Sequence, residues 1–360
     1  MDGSFRSQEQ GMAKVAVVGA GMMGTALCTP IADAGHEVSL VGTHLDEAFV
    51  EAMKRDRTHP KLGLRIDDKV TPLSIGELDS GLEGASFICL GVSSAGVRWA
   101  ADTLRSKLRP DSLLLSVTKG LEESAPGDLR VLPDVFRDLL PEPLRSKLNP
   151  CAIGGPCIAG ELARRVPTAV VFTGRDEDVL KRLAAAFTTP YYHIRTSTDV
   201  VGVEVCAALK NAYAMAVGIG VGVHEREGGT KAPVAYHNYE AAVFAQACIE
   251  MDQVVRMLGG DPRHVPHLAG AGDMLVTTSG GRSSRLGRWL GLGLTFDQAQ
   301  EKMKGDTLES ADLIRVLGGA LPALIRQGKL PPGALPLMTH LHDVIVGGQR
   351  IDMPFDRFFR

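Results

Sequence analysis

The sequence is poor in aromatic residues: Phe, Trp and Tyr make up 5% of its 360 positions. Few rings are on hand to stack on bases, and a formal net charge of −3 supplies no basic surface for a phosphate backbone or anionic lipid. Neither nucleic acid nor a membrane is an expected partner. No run of roughly 18 apolar residues occurs, so no membrane span is predicted. The first residues, MDGSFRSQEQGM, are polar and lack the apolar stretch of a secretory leader. Positions 1–12 read as a flexible extension before the first strand. None of the six cysteines (Cys28, Cys89, Cys151, Cys157, Cys206, Cys248) belongs to a C-x-x-C pair, and all sit among apolar residues. That is the pattern of reduced, mostly buried thiols in a cytoplasmic protein. His264-x-x-His267 and His340-x-His342 have no third ligand nearby, so no metal is expected.

What is present is ordinary in bulk, 44% hydrophobic and 22% charged. The length suggests about two domains. The organising stretch is Lys14 to Ala34. Val15-Ala16-Val17-Val18 reads as a strand buried on both faces. Gly19, Gly21 and Gly24 follow at G-x-G-x-x-G spacing, and then Met23, Leu27 and Ile31 recur at helical intervals. The first glycine permits a tight turn, the second lets backbone approach a pyrophosphate, and the third lets helix pack close to strand. Free N–H groups and the dipole at the helix start favour the phosphates. A strand before and a helix after is the context that makes this motif a dinucleotide site.

Strand-like and helix-like segments alternate through the first half, the pattern of a parallel sheet covered by helices. Strands are predicted at Glu37–Val41, near Val70, and at Ser86–Val92, Leu113–Val117, Cys151–Pro156, Ala169–Thr173 and Tyr191–Arg195. Between them lie helices at Glu47–Arg55, Ile75–Gly81, Val97–Leu108, Ile158–Arg165 and Asp178–Phe187. Pro126–Lys147, with Pro133, Pro141 and Pro143, reads as broken helix. Strand two ends in Gly42-Thr43-His44. An acid that holds the ribose hydroxyls often stands there, but Asp46 comes slightly late, and no Arg is present for a 2′-phosphate. NAD and NADP both stay open.

Beyond Asp199 strand patterns stop. Val200–Val221 is a long helix candidate rich in small residues, helical patterns continue to Arg360, and His224–His237 reads as a loop. The fold class is α/β: a Rossmann-type doubly wound sheet over 13–197, then an all-helical domain over 198–360 that carries substrate binding and catalysis.

Three places carry candidate chemistry. Thr118-Lys119-Gly120 follows a central strand, where a lysine is either an anion contact or a surface charge. Lys210-Asn211 lies in the apolar EVCAALKNAYAMAVG. Burial lowers a lysine's pKa and suits it to proton transfer, whereas a snorkelling surface lysine fits the position equally well. Gly272-Asp273 and Thr277, then Gly280-Gly281-Arg282-Ser283, put an acid and an arginine beside glycine turns. Arg282 suits a bidentate clamp on phosphate, although alone either charge is an ordinary surface residue.

Taken together, these motifs resemble the NAD(P)-dependent glycerol-3-phosphate dehydrogenases from Lys14 to about Gly347. GAGMMG is similar to that family's cofactor loop and Thr118-Lys119-Gly120 to its substrate-lysine strand end. Gly154-Gly155-Pro156 with Ala159 and Glu161 resembles its G-P-x-x-A-x-E segment. Val203-Glu204 with Ala208-Leu209-Lys210-Asn211 matches the helix bearing its catalytic lysine. Gly272-Asp273 with Thr277, and Gly280-Gly281-Arg282, resemble its G-D-L-x-x-T and G-G-R-N elements. Gly42-Thr43, and His59-Pro60 with Leu62-Gly63, are similar to the archaeal branch. The resemblance implies Lys210 as general acid–base with Lys119 and Asp273 as its catalytic partners, Lys119 and Asn211 on the substrate oxygens, Asp273 and Thr277 orienting Lys210 and the glycerol hydroxyls, and Arg282 with Ser283 at the phosphate. It implies cofactor contacts from Gly19, Gly21, Met22, Met23, Gly24, Ser93, Lys119, Ala159, Arg282 and Glu309. It also implies NAD or NADP as cofactor, a small phosphorylated substrate and a homodimer.

Departures from the family pattern bear on the substrate. Ser283 stands where asparagine is usual, and a second register would use Ser284-Arg285-Leu286. Cys157 replaces a hydroxyl residue, and Met22-Met23 replace an aromatic. The expected reaction interconverts dihydroxyacetone phosphate and sn-glycerol 3-phosphate. The alternatives are the same chemistry on another small polyol phosphate or hydroxy acid, and a non-catalytic dinucleotide-binding regulator.

Overall fold

A computed structural model describes residues 12–231 and 234–359. The extension expected over 1–12 lies, apart from Met12, outside the described residues, as do two positions of the 224–237 loop. The first half runs β1 (Lys14–Val18), α1 (Met22–Asp33), β2 (Glu37–Val41), α2 (Glu47–Asp56), the short hairpin β3 (Thr58–His59) and β4 (Leu64–Arg65), and β5 (Val70–Leu73). It continues with α3 (Leu78–Leu82), β6 (Ala85–Leu90), α4 (Val97–Leu104), β7 (Leu113–Ser116), β8 (Leu121–Ala125), β9 (Asp128–Val131), α5 (Leu132–Asp138) and α6 (Glu142–Arg145). Then come β10 (Cys151–Gly154), α7 (Ala159–Leu162), β11 (Thr168–Thr173), α8 (Glu177–Phe187) and β12 (Tyr192–Ser197).

Eight of these strands form one sheet in the order β12-β11-β10-β7-β6-β1-β2-β5. Every pairing in it is parallel except β10 with β11. Val15 to Val18 are fully buried, because helices cover both faces of the central strand. The chain steps from β1 to β2 and β5, then returns to β6 on the other side of β1. The crevice at the carboxyl end of β1 is therefore the topological switch point, where open parallel sheets take their ligands.

The first half departs from expectation in one stretch. Pro126–Lys147 is not broken helix throughout: β8 and β9 pair antiparallel and Asp128–Val131 is strand. Pro126-Gly127 is the two-residue turn, Gly127 supplying φ +74. Leu121, Leu129 and Val131 alternate onto one face, which packs into the helical core rather than onto the sheet. Helix begins only at Leu132, with Pro133 in its first turn.

Among the described residues the last strand ends at Ser197, and the regular structure beyond it is helical. α9 (Val200–Arg226) is followed by α10 (His237–Met257), α11 (Asp273–Thr278), α12 (Arg282–Gly291), α13 (Phe296–Lys302), α14 (Glu309–Arg326) and α15 (Pro336–Ile345). α9 extends five residues past Val221 into the expected loop. By length and composition it is apolar enough to cross a membrane, but 89% of its apolar window is buried within the protein. A helix apolar on every side is what a core position demands. α12 crosses it at close range on small residues. A Cβ added at Gly287 would lie 1.9 Å from Met215 O, and one at Gly222 would lie 2.1 Å from Arg288 O. This close crossing brings the start of α12 beside the middle of α9, where Lys210 and Asn211 lie.

Candidate active site

The loop between β1 and α1 is tied to both neighbouring strands. Gly19 N donates to Val41 O at 2.8 Å, and Gly91 N donates to Val18 O at 2.7 Å. Gly19 has φ +112, and a Cβ there would lie 2.6 Å from the Gly91 carbonyl. A Cβ at Gly24 would lie 2.0 Å from Gly19 O, whereas one at Gly21 would meet nothing within 4 Å. Two of the glycines are thus required by packing, and Gly21 faces open space. α1 starts at Met22 with no side-chain cap on its N-terminal N–H groups. An anion-binding helix start beside a bare backbone cradle fits a dinucleotide pyrophosphate. Met22 is exposed and Met23 is half-buried, packing with Ala159 at the edge of the same core. Ser93 is exposed just beyond β6. Asp46 does not stand free at the end of β2. Its Oδ2 accepts from Ala20 N at 3.1 Å, Thr43 N at 2.9 Å and Thr43 Oγ1 at 2.8 Å.

A charged centre lies where the sheet meets α9. Asp273, 1% exposed, opens α11 directly after a wide turn of π type. Such turns recur at functional sites because they re-aim side chains. Asp273 Oδ1 accepts from Lys210 Nζ at 2.9 Å, and its Oδ2 accepts from Lys119 Nζ at 2.5 Å. Lys210 Nζ also donates to Thr277 Oγ1 at 2.7 Å, and Lys119 Nζ donates to Gly155 O at 3.3 Å. Gly155 has φ +115 and sits beyond β10, so its carbonyl faces the lysine.

The two ammonium groups behave differently. Burial works against the charge of Lys119, but the Asp273 carboxylate outweighs it and the net shift is upward. For Lys210, burial dominates. Asp273 offsets only part of it, Lys119 adds repulsion, and the net shift is downward. One carboxylate between two lysines thus pulls the proton affinity of Lys119 up, while burial and the neighbouring Lys119 charge bring that of Lys210 down. Cys157 lies near both, its thiol pushed up to about 12, mainly by burial. It is a neutral group there.

A second cluster lines the adjoining mouth. Asn211 Nδ2 donates to Glu309 Oε2 at 3.3 Å, and Arg282 Nη2 lies 3.5 Å from Glu309 Oε1 and also bonds Thr307. Arg282 opens α12, and Ser283, next to it, is 7% exposed. Lys210, Asn211, Thr277, Arg282, Ser283 and Glu309 share a cavity of about 320 Å³. Arg285, the alternative in the second register, instead pairs with Asp306. A larger groove of about 880 Å³ lies between α10 and the 329–336 segment and holds none of these residues.

The structure thus brings Lys119, Lys210, Asp273 and Thr277 together, with Asn211, Arg282, Ser283 and Glu309 beside them. Gly19 to Gly24 and Ser93 flank the switch-point crevice, and Ala159 opens α7, which packs against α1. Glu204 carried no role in the sequence beyond its place in a motif. It is fully buried on α9, and neither carboxylate oxygen has a hydrogen-bond partner among the described residues. Burial pushes it up to about 8, against the pull of Lys119. The signal was its setting, an acid in an apolar helix seven residues before Asn211 and so on the same face.

Residues 14–180 match the family model described as NAD-dependent glycerol-3-phosphate dehydrogenase N-terminus, and residues 199–355 match that of the C-terminus. The chain is 34% identical over 290 residues to an NADP(+)-dependent glycerol-3-phosphate dehydrogenase of Archaeoglobus fulgidus, across 81% of this chain and 83% of that one. It is 32% identical to a glycerol-3-phosphate dehydrogenase [NAD(P)+] of Streptomyces griseus, across 88% and 94%. Among solved structures, glycerol-3-phosphate dehydrogenase from Coxiella burnetii superposes with a TM-score of 0.78 at 25% identity, covering 94% of this chain and 96% of that one. The Plasmodium falciparum enzyme, at 17% identity and a TM-score of 0.79 over 97% and 96%, shares the fold.

Proposed function

The chain belongs to the NAD-dependent glycerol-3-phosphate dehydrogenase family, and from that premise we propose that it interconverts dihydroxyacetone phosphate and sn-glycerol 3-phosphate with NAD(H) or NADP(H), Lys210 moving the proton. The observation that carries the role of Lys210 is the buried Lys119–Asp273–Lys210 centre. Residues 13–197 hold the dinucleotide and residues 198–360 supply the proton-transfer and phosphate groups.

The glycine cradle and the bare start of α1 hold the pyrophosphate, with Met22, Met23, Ser93 and Ala159 along the crevice. When bound, the nicotinamide supplies or accepts the hydride. Lys119, kept cationic by Asp273, and Asn211 hold the substrate oxygens. In reduction, Lys210 Nζ donates a proton to the ketone oxygen as the central carbon gains hydride. In oxidation, neutral Lys210 removes the hydroxyl proton. Asp273 and Thr277 fix the direction in which Nζ points. The phosphate is taken by Arg282 and the N-terminal N–H groups of α12, next to Ser283. Arg282 then exchanges part of its pairing with Glu309 for the phosphate, and Glu309 remains at the cofactor edge. Four of the six unpaired cysteines are buried, which suits a reducing cytoplasm. A homodimer completes the proposal, tested by sedimentation.

The experiment follows NADH and NADPH absorbance with dihydroxyacetone phosphate, using the wild-type protein and Lys210→Ala. The reading predicts turnover by the wild type and its loss in the variant, with cofactor binding kept. Cofactor binding without wild-type turnover, joined to turnover of a larger ketose phosphate, would move the substrate to another polyol phosphate.

A further inference from the structure

The cofactor loop has almost no side chains with which to hold itself. Gly19, Gly21 and Gly24 offer none, and glycine-rich backbone is the most costly to order. Ala20 stands at the centre of this loop, and side chains from elsewhere hold both of its backbone polar groups. Its N–H donates to Asp46 Oδ2 at 3.1 Å; its carbonyl lies 3.1 Å from His59 Nε2 and also accepts from Thr25 Oγ1 of α1 at 3.3 Å, so His59 is the grip on that carbonyl that comes from outside the βα unit. Asp46 immediately precedes α2, its carboxylate turned away from that helix, and His59 ends β3, so the two grips come from separate places in the chain.

His59 is fully buried, and its own position is over-determined. Its Nδ1 accepts from Leu62 N at 3.2 Å, and its carbonyl accepts from Gly63 N at 2.9 Å. Strand pairing in the β3–β4 hairpin sets His59 opposite Leu64, and the Phe49 ring of α2 lies 5.0 Å from the imidazole. Arg164 of the 159–165 segment reaches Leu62 O at 3.4 Å. A ring that accepts at Nδ1 from a backbone N–H must carry its proton on Nε2, and that proton points at Ala20 O.

We propose that His59 is a positioning residue for the dinucleotide: with Asp46 it fixes the Ala20 peptide and so holds the phosphate-binding loop in its binding shape before the cofactor arrives. The proposal rests on the reading of Gly19 to Gly24 as the dinucleotide site. Pre-ordering of this kind raises affinity by removing an ordering cost from the binding step.

The arrangement works only with neutral imidazole. A proton on Nδ1 would face the Leu62 N–H. Burial lowers the proton affinity of His59; the Ala20 carbonyl, the Asp46 charge and the His59 backbone raise it, Lys61 on the same turn lowers it, and the net shift is below the ordinary 6.5. Cofactor affinity is therefore full above that lowered value and falls as the pH drops through it.

The test is a fluorescence titration of NADH, and separately of NADPH, into cofactor-free protein at about pH 8 and at successively lower pH down to the limit at which the protein stays folded. The proteins are wild type, His59→Leu and His59→Gln. Glutamine keeps an N–H donor near the Nε2 position but gains no charge. His59→Leu is expected to weaken binding about tenfold at the higher pH, with a smaller loss in kcat at saturating cofactor. His59→Gln is expected to recover most of that affinity and to lose the weakening in acid that the wild type shows. Nitrogen NMR of the wild type should find the proton of His59 on Nε2.

If His59→Leu lowers only the melting temperature and binds as tightly as wild type, His59 is merely structural and the proposal is overturned. Acid weakening that persists in His59→Gln overturns it as well. No cofactor binding by the wild type at any pH in the series would overturn the dinucleotide site itself, and this proposal with it.

Discussion

Replacing Asp273 by Asn is the sharpest perturbation of the charged centre, because it keeps the shape and removes one charge. The carboxylate is 1% exposed and accepts from Lys210 at 2.9 Å and from Lys119 at 2.5 Å. At an effective dielectric of about 20, unit charges this close interact by about 6 kcal/mol. If half of that survives rearrangement, the proton affinity of the lysine pair falls by about 2 pKa units. Lys210, already lowered by burial, releases its proton first. Reduction of the ketone needs protonated Lys210, so its rate falls as the pH rises through the Lys210 pKa. In Asp273→Asn that alkaline limb moves about two units toward acid. In oxidation, which needs the neutral amine, the rising limb moves the same way. The limb belongs to the coupled pair rather than to one lysine. Folding stability drops as well, by about 3–5 kcal/mol, as for a buried pair that loses one partner. The assay is the pH dependence of kcat in each direction, with cofactor binding and thermal melting as controls. A folded, cofactor-binding Asp273→Asn protein whose limbs stay in place would refute the assignment of Asp273 as the group that sets the charge of Lys210.

Glu204 makes stability depend on pH. Its folded pKa is raised from 4.5 to about 8, so its contribution is full below the unfolded value and drains away as pH rises through about 8. Glu204→Gln should flatten that slope, worth at most roughly 4–5 kcal/mol. Denaturant melts at acid and alkaline pH check it, and an unchanged slope would show that another group is responsible. Gly24→Ala places a Cβ 2.0 Å from Gly19 O, so the loop must shift. Cofactor Kd should rise by about 5- to 150-fold, as overpacking costs about 1–3 kcal/mol, and an unchanged Kd contradicts the cradle. Arg282→Ala should raise KM for dihydroxyacetone phosphate by about 10- to 100-fold, the loss of one charge-assisted contact. An equal rise in the cofactor KM would place Arg282 at the cofactor instead of the phosphate.

Local patterns made much of this fold legible. The run Val15 to Val18 followed by Gly19-x-Gly21-x-x-Gly24 announced a strand, a tight turn and a helix, because each step is set within a few residues. Lys210 stood out because an ammonium in EVCAALKNAYAMAVG needs a reason. What stayed hidden depends on contacts between distant residues. The β8–β9 hairpin was masked because its apolar face, Leu121, Leu129 and Val131, packs on helices that come later in the chain. Asp46 looked too late for a ribose contact, and nothing local shows that its carboxylate bonds Ala20, 26 residues earlier. The same distance hides the sharing of Asp273 by two lysines, one 154 and the other 63 positions away.

The central claim is that Lys210 Nζ moves the substrate proton. The measurement that tests it most directly is chemical rescue of Lys210→Ala by small primary amines, read as nicotinamide absorbance at saturating cofactor and dihydroxyacetone phosphate. The account predicts that the variant binds cofactor, is nearly inactive, and regains turnover in proportion to amine, with rates that follow amine basicity. Near-normal turnover of Lys210→Ala without any amine would contradict it.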